Sequence, residues 1–320
     1  MSFFDSQRGA TAILEHEEAA CEFPLHQPAM VRQVLQLLSP APGDTALDVT
    51  TGTGGHSLAL ARAIGPDGLL VGIDADASAL EVARTRLAAE SPGQFRLFAG
   101  RFSDALHFSE QAGVEAFDIV LADLGVGTHQ LLQPDRAFSF ESGAKLDMRY
   151  DTRGGTTAWK VVNGASEREL ADIFHRYGQE RFSRQIAARI CRQRQSRPIN
   201  TPAELADLIK SIAARHGSRR RWRIHPATRA MMALRIHVNG ELEELDALLE
   251  LLPALLKRSG RAAVLTYHSL EARRVKHAWR RQEKEGLLEV LTAPVAKPSP
   301  EEVKENPRVR SAQLRAARRL

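Results

Sequence analysis

The chain has 320 residues, of which 43% are hydrophobic and 26% charged, and its formal net charge is +5. That is enough apolar material for one large or two modest domains, and the positive balance admits an anionic partner such as nucleic acid without requiring one. The two cysteines, Cys21 and Cys191, have no Cys-x-x-Cys or Cys/His spacing, which argues against a disulfide framework or a structural zinc site. No apolar run approaches the length of a membrane span, and the polar, acidic N-terminus does not look like a signal peptide. The expectation is a cytoplasmic enzyme with no membrane association and no metal.

Residues 1–22 have weak patterning and read as a loose, flexible extension. From about residue 30, short apolar runs alternate with helical patterns. "VRQVLQLL" (31–38), "HSLALARAI" (56–64) and "ASALEVARTRLAAE" (77–90) read as helices. "TALDV" (45–49), "LLVGI" (69–73), "FRLFA" (95–99) and "FDIVLA" (117–122) read as buried strands. Such alternation predicts a parallel sheet covered on both faces. From residue 123 to about 155 the chain is rich in Gly, Asp, Ser and Phe, and predicts long structured loops. Residues 166–238 are helical in pattern. In "QERFSRQIAARICRQR", Phe182, Ile186 and Ile190 form one apolar stripe, with Arg181, Arg184 and Arg192 on a solvated side. The α/β pattern resumes at "ELEELDALLELLPALLKRSGR" and "AAVLTYHS". That helix has acids in its first turn, and Lys257, Arg258 and Gly260 read as its stop signals, with Pro253 expected to kink or shorten it.

The stretch "LDVTTGTGGHSLAL" (47–60) is a strand, a glycine loop and a helix start. Ligands of open α/β sheets bind beyond the carboxyl ends of strands. Free N–H groups at a helix start suit a carboxylate or a phosphate. A dinucleotide fingerprint needs a third glycine where Ser57 stands, and the Gly-Lys-Ser/Thr of a P-loop is absent. The common S-adenosylmethionine loop, Asp/Glu-x-Gly-x-Gly-x-Gly, is met by Asp48, Gly52 and Gly54, with Thr50 in place of the first glycine. Asp74 ends the second strand and suits ribose hydroxyls, in either cofactor. Asp123 ends the fourth strand, where amino-directed methyltransferases commonly carry an acid or an amide. It can accept an N–H bond from an acceptor amine, orient the base, or contact the donor.

With these pieces placed, the chain resembles the RsmH (MraW) family, which methylates N4 of a cytosine in bacterial 16S ribosomal RNA. The likeness runs from about residue 26 to the C-terminus in seven ordered blocks. They are "HQPAM" (26–30), "TTGTGGHS" (50–57), "DLGVGTHQLLQPDRAFSF" with "LDMRYD" (123–151), "YGQERFSRQIA" (177–187), "HPATRAMMALRIHVNGEL" (225–242), "YHSLEARRVK" (267–276) and "ENPRVRSAQLRAARR" (305–319). The resemblance implies a Rossmann-like class I S-adenosylmethionine-dependent methyltransferase sheet with an inserted all-helical substrate-recognition domain. The division it implies is a first core part at 23–136, an inserted helical RNA-recognition domain at 137–235, and a second core part with a basic C-terminal segment at 236–320. It further implies that Gly54, Gly55 and His56 hold the methionine end of the donor, that Asp74 takes the ribose, that Phe102 lies beside the adenine, and that Asp123 and Gln130 complete the site. The chain departs from the family pattern at Gly127-Thr128, Ala137, Met231-Met232 and Ala272.

On the substrate side, residues 215–235 carry seven arginines and Trp222, and the C-terminal segment adds further arginines with no acid after Glu305. Arginine suits phosphate, and a tryptophan can stack on an unpaired base. A target base must leave its stack to reach a donor in a cleft. His268 follows the strand "AAVLTY". Contact with the flipped nucleotide, proton uptake, and a structural bond inside its own loop all fit that position. The expected function is methyl transfer from S-adenosylmethionine to cytosine N4 of 16S rRNA in the small ribosomal subunit. The alternatives are a paralogous methyltransferase with a different target nucleotide, and a non-catalytic ribosome-assembly factor that binds RNA.

Overall fold

The computed structural model describes residues 28–140, 142–215 and 225–320. The N-terminal extension, Trp222 and the arginines at 219, 220, 221 and 223 lie outside the described residues.

The predicted alternation builds a seven-stranded sheet. Its strands are β1 (Thr45–Asp48), β2 (Leu69–Asp74), β3 (Gln94–Ala99), β4 (Phe117–Asp123), β5 (Leu256–Thr266), β6 (Leu288–Val290) and β7 (Gln313–Arg319). The order is β3-β2-β1-β4-β5-β7-β6. The strands from β3 to β5 pair in parallel, while β7 runs antiparallel to both β5 and β6. The order reverses at β1 and β4, which opens a crevice at their carboxyl ends.

The helices are α1 (Val31–Leu38), α2 (Gly55–Ile64), α3 (Ala77–Glu90), α4 (Ala105–Gln111), α5 (Thr128–Leu132), α6 (Ala158–Gly164), α7 (Glu167–Arg176), α8 (Ser183–Ser196), α9 (Pro202–Arg215), α10 (Thr228–Asn239), α11 (Glu241–Leu255), α12 (Ser269–Lys284) and α13 (Pro300–Glu305). One face of the sheet buries Val34, Leu38, Leu58 and Leu60 from α1 and α2 against Leu70, Leu121 and Leu265. The other buries Leu245, Leu249, Val275 and Trp279 from α11 and α12 against Val71, Val120 and Val264. Helices α6 to α10 pack round a third core of their own, with Leu170, Phe174, Ile186, Ile190 and Leu234 at its centre. In α8 the expected stripe is inward, with Ile186 and Ile190 buried and Phe182 partly so, while Arg181, Arg184 and Arg192 are exposed. Helix α10 ends at Asn239, where Gly240 takes the left-handed conformation (φ 63°) that separates α10 from α11.

Two expectations are corrected. The residues Lys257, Arg258 and Gly260 do not end α11; the helix stops at Leu255, and β5 has already begun. The register of β5 against β4 jumps from Phe117↔Leu256 to Ile119↔Arg261, so residues 257–260 form a bulge. Lys257 Nζ donates to Asp118 Oδ2 across it at 2.7 Å. A side chain at Gly260 would meet the carbonyl oxygens of Lys257 and Phe117 at 2.9 Å, which is why glycine stands there. The basic C-terminal segment, expected to add arginines to an RNA-facing surface, is largely built into the sheet: "QLRAARR" is the inner strand β7, with Leu314, Ala316 and Ala317 buried. Arg318 pairs with Glu289 of β6, and Arg319 donates to the Leu256 carbonyl. Small apolar residues between arginines hide a strand from a reading based on charge.

Pro253 is accommodated inside α11 rather than ending it at once. Proline has no N–H for the Leu249 carbonyl four residues back. The buried Gln282 of α12 supplies the missing donor, its Nε2 reaching that oxygen at 2.7 Å. Gln282→Ala is therefore expected to lower stability by about 1–3 kcal/mol, the cost of a buried polar group left unsatisfied. In a Pro253→Ala background the loss is expected to shrink, because the restored N–H again satisfies the carbonyl. Chemical denaturation of the four proteins of this cycle measures it.

Candidate active site

A cavity of about 520 Å³ opens at the carboxyl ends of β1, β2, β4 and β5. Gly55, His56, Asp74, Phe102, Asp123, Gln130 and His268 all line it, so the fold brings together residues up to 213 positions apart. Gly54 does not line it.

The glycine loop is organised from beneath by Asp48, fully buried at the tip of β1. Its Oδ1 accepts from the Thr50 backbone at 3.0 Å and the Thr50 hydroxyl at 3.2 Å, and its Oδ2 accepts from Ser57 Oγ at 2.6 Å. Burial pushes the Asp48 carboxyl above its ordinary range, against the lowering effects of Ser57, His56 and Thr50. The departure at Thr50 now has a physical reason. Its Oγ1 also accepts from the Asp123 backbone N–H at 2.6 Å, tying the ends of β1 and β4 together.

The glycines answer to neighbours. Gly54 has φ 83°, and a Cβ there would sit 3.3 Å from Ala83 of α3, so it allows a turn and a close helix approach. A Cβ at Gly55 would meet Pro28 at 3.1 Å, which ties the "PAM" end of the first motif to the loop. The first helical bond of α2 runs from Leu58 N to Gly54 O. The N–H groups of Gly55, His56 and Ser57 precede it and form an anion-favouring helix start.

Asp74 at the end of β2 accepts from Gly52 N at 2.7 Å and from Asp76 N at 2.8 Å. Burial raises its carboxyl to about 6 in spite of those two bonds. Phe102 lies in a short turn after β3, partly buried on the cavity wall. Gln130 lines the cavity and also braces the loop: Oε1 accepts from Gly127 N at 3.1 Å and Nε2 donates to Asp76 Oδ2 at 2.9 Å. Arg136 Nη2 reaches the same Asp76 oxygen at 2.9 Å. Asp76 is itself the N-cap of α3, through Ser78. Burial opposes its charge, but His129, Ser78, Gln130 and Arg136 outweigh it and hold the carboxyl well below the ordinary range. Asp76 thus clasps the loop after β4 to α3. The Ala137 departure falls on this loop at φ 60°, a left-handed conformation that a glycine takes without strain.

Asp123 at the end of β4 faces the cavity with two side chains on its carboxylate. Tyr267, just beyond β5, donates its hydroxyl to Oδ1 at 2.7 Å, and His56 Nε2 lies 3.4 Å from Oδ2. Burial works against a charged His56, yet Asp123 and Asp48 outweigh it and raise the ring above its ordinary value. Burial, then the Asp123 charge, pushes the Tyr267 phenol far above its ordinary range. Tyr267 escaped the sequence reading; the only signal was its place at the carboxyl end of a strand, one residue before His268.

His268 is the N-cap of α12. Its Nδ1 accepts from Glu271 N at 3.4 Å, and its Nε2 lies 3.1 Å from Glu271 Oε1. The buried Glu271 also accepts from Tyr267 N at 2.8 Å and His268 N at 3.2 Å. Of the three roles open to His268 in the sequence, this geometry favours the bond inside its own loop. On the same wall Arg235 makes a two-pronged pair with Glu241 at 2.8 and 2.9 Å, and Tyr150 donates to that carboxylate at 3.1 Å. Among the described residues, Glu241, His268 and Glu271 form a group of metal-ligating type that the sequence reading did not foresee. The Arg235 guanidinium beside it supplies the positive charge these carboxylates need.

The comparisons agree with this architecture. Residues 24–320 match the model of the MraW methylase family. A protein of Cyanothece sp. named ribosomal RNA small subunit methyltransferase H is 46% identical, over 92% of this chain and 95% of its own. Proteins of the same name from Syntrophotalea carbinolica and Trichlorobacter lovleyi are 44% and 42% identical, each over 92% of this chain and 98% of its own. With nearly its whole length matched, and with the glycine loop, Asp123 and the α12 cap in one cavity, the chain belongs to the MraW methylase family.

Proposed function

We propose that the protein transfers the methyl group of S-adenosylmethionine to N4 of a cytosine in the 16S rRNA of the small ribosomal subunit. The observation that carries this reading is the placement of Asp123. It is an acid at the end of β4, facing a cavity whose adjoining wall is a glycine loop and an acid-ended second strand. The cavity lies within the range usual for small-molecule sites. Family membership and the names of the relatives support the same substrate class.

When bound, S-adenosylmethionine supplies an electrophilic methyl group on its sulfonium. The start of α2 at Gly55 and His56 receives the carboxylate end, Asp74 accepts from the ribose, and Phe102 flanks the adenine. The exocyclic amine of cytosine is a weak nucleophile because its lone pair is delocalised into the ring. Asp123 accepts one of its N–H bonds, which raises the electron density on nitrogen and aligns the lone pair for in-line attack. The protein contributes proximity and alignment. Helices α6 to α10 form the RNA-recognition unit, and the target base flips out of its stack to enter the cavity. No helix among the described residues is long and apolar enough to cross a membrane, and a ribosomal substrate fits an enzyme of the cytoplasm.

Incubation with labelled donor and 30S particles lacking the native modification, followed by mass spectrometry of the RNA, tests the reading. Label on a cytosine N4 of 16S rRNA is expected; label on another atom or no label refutes it. Asp123→Ala is expected to lower kcat by about a hundredfold or more, with the donor Kd changed only a few-fold by equilibrium dialysis. The donor Kd also depends on pH. Ribose hydroxyls bind the ionised Asp74, whose folded value is raised to about 6. Affinity is therefore full above that pH and weakens below it, by up to about tenfold per pH unit. Asp74→Asn is expected to bind more weakly at pH 7.5 and to lose this dependence in titrations from pH 5 to 8.

A further inference from the structure

We infer that Tyr267 is a positioning residue for the transfer step, acting through Asp123; this rests on the function proposed above.

The argument starts from the backbone. β4 and β5 are parallel neighbours in the register Asp123↔Leu265, and Leu124 N donates to Leu265 O at 3.1 Å, so both strands end at the same level. Tyr267 therefore comes to stand beside Asp123, although 144 residues separate them. Three restraints fix its side chain there. Its N–H is held by the buried Glu271 at 2.8 Å. Its ring lies over Gly125, where φ is 111° and an added Cβ would be 3.3 Å from Cδ2. Its hydroxyl ends on Asp123 Oδ1 at 2.7 Å. Gly125, in the Asp-Leu-Gly motif, is thereby explained: it opens the loop and leaves room for the ring.

A lone carboxylate at a strand end can swing through its last torsion, and an acceptor that swings cannot align an amine. At Asp123 the Tyr267 hydroxyl is bonded to Oδ1, and the His56 ring stands at ion-pair distance from Oδ2, 3.4 Å away and without a hydrogen bond. Each oxygen keeps a second lone pair. With the carboxylate plane fixed, a remaining lone pair is presented to the cavity, where the N–H of the acceptor amine must lie. Tyr267 also lines the cavity, but its donated proton is already committed to Asp123. The charged and titratable groups facing this pair are His56 from α2, Asp48 beneath the loop, Glu271 from α12 and Glu302 from α13.

The test is a double-mutant cycle of Tyr267→Phe and Asp123→Asn in the full chain, with labelled donor and 30S particles, after thermal melts have shown that the variants are folded. Tyr267→Phe is expected to lower kcat by roughly ten- to a hundredfold, the worth of one hydrogen bond to a charged group, with the donor Kd within about twofold. In the Asp123→Asn background the same change is expected to have little further effect, because the partner through which it acts is already altered. A purely structural Tyr267 would instead lower activity by the same factor in both backgrounds. Independently of turnover, NMR titration of the His56 ring in the donor-free protein is expected to move to higher pH in Tyr267→Phe, as a carboxylate relieved of the hydroxyl interacts more strongly with the imidazole. Wild-type kcat in Tyr267→Phe, equal factors in the two backgrounds, or an unmoved His56 titration each overturns the inference. If the wild-type protein itself transfers no methyl group, the function fails and the inference with it, while the His56 titration still reports whether the Tyr267–Asp123 bond exists.

Discussion

The buried carboxylate of Asp48 is the point on which the site is built. It sits at the tip of β1 with no exposure and accepts three hydrogen bonds, two from Thr50 and one from Ser57. Hydrogen bonds to a charged group are worth about 1.5–3 kcal/mol each, and removing a carboxylate from water costs several kcal/mol. The bonds offset part of that cost, and burial leaves the carboxyl above its ordinary value. A group so placed tolerates no loss of its donors. That fixes Thr50, and Thr50 in turn holds the Asp123 backbone. The donor side and the acceptor side are thus joined through one short chain of bonds. A loop pattern with three glycines would have left position 50 without that hydroxyl.

The second constraint is the return of the chain to the sheet. It leaves at Asp123 and comes back at Leu256, after a helical unit with a core of its own. Closing so long an excursion costs entropy that grows only slowly with length, so what matters is that the two ends meet in one register. The bulge at residues 257–260, with Lys257 on Asp118 and glycine at 260, absorbs the mismatch at the start of β5. Beyond it the strands run in step, and their ends deliver Asp123 and Tyr267 side by side.

The strands β1 to β4 were legible because each is a short apolar run between turn signals, and the glycine loop because its chemistry is local. The stripe of α8 was legible for the same reason. What escaped the sequence depends on partners far along the chain. Gln282 satisfying the carbonyl left bare by Pro253 joins two helices. The bond from the Gln130 amide to Asp76 joins residues 54 positions apart. The three roles open to His268 narrow only when Glu271 is seen against its ring. β7 was missed because two alanines between arginines carry little apolar signal, although both are fully buried.

That last case bears on how the RNA is held. An arginine count overstates the surface available to phosphate, because many of these guanidinium groups are already spent. Arg235 is paired with Glu241, Arg136 with Asp76, and Arg318 with Glu289. Arg194 donates to the Val162 and Ala165 carbonyls inside the helical unit. Of these, the Arg136 and Arg235 pairs are the well-buried ones, and breaking either would cost stability before it cost affinity. Arg184 and Arg192 stand exposed on α8 and Arg181 just ahead of it, on the helical unit that flanks the cavity. Exposed charges of this kind contribute to nucleic-acid affinity through counterion release, a term that weakens with salt. The two sets therefore separate by physical role: the paired arginines hold the fold, Arg235 among them on the cavity wall, and the exposed ones leave positive charge on the surface of the helical unit.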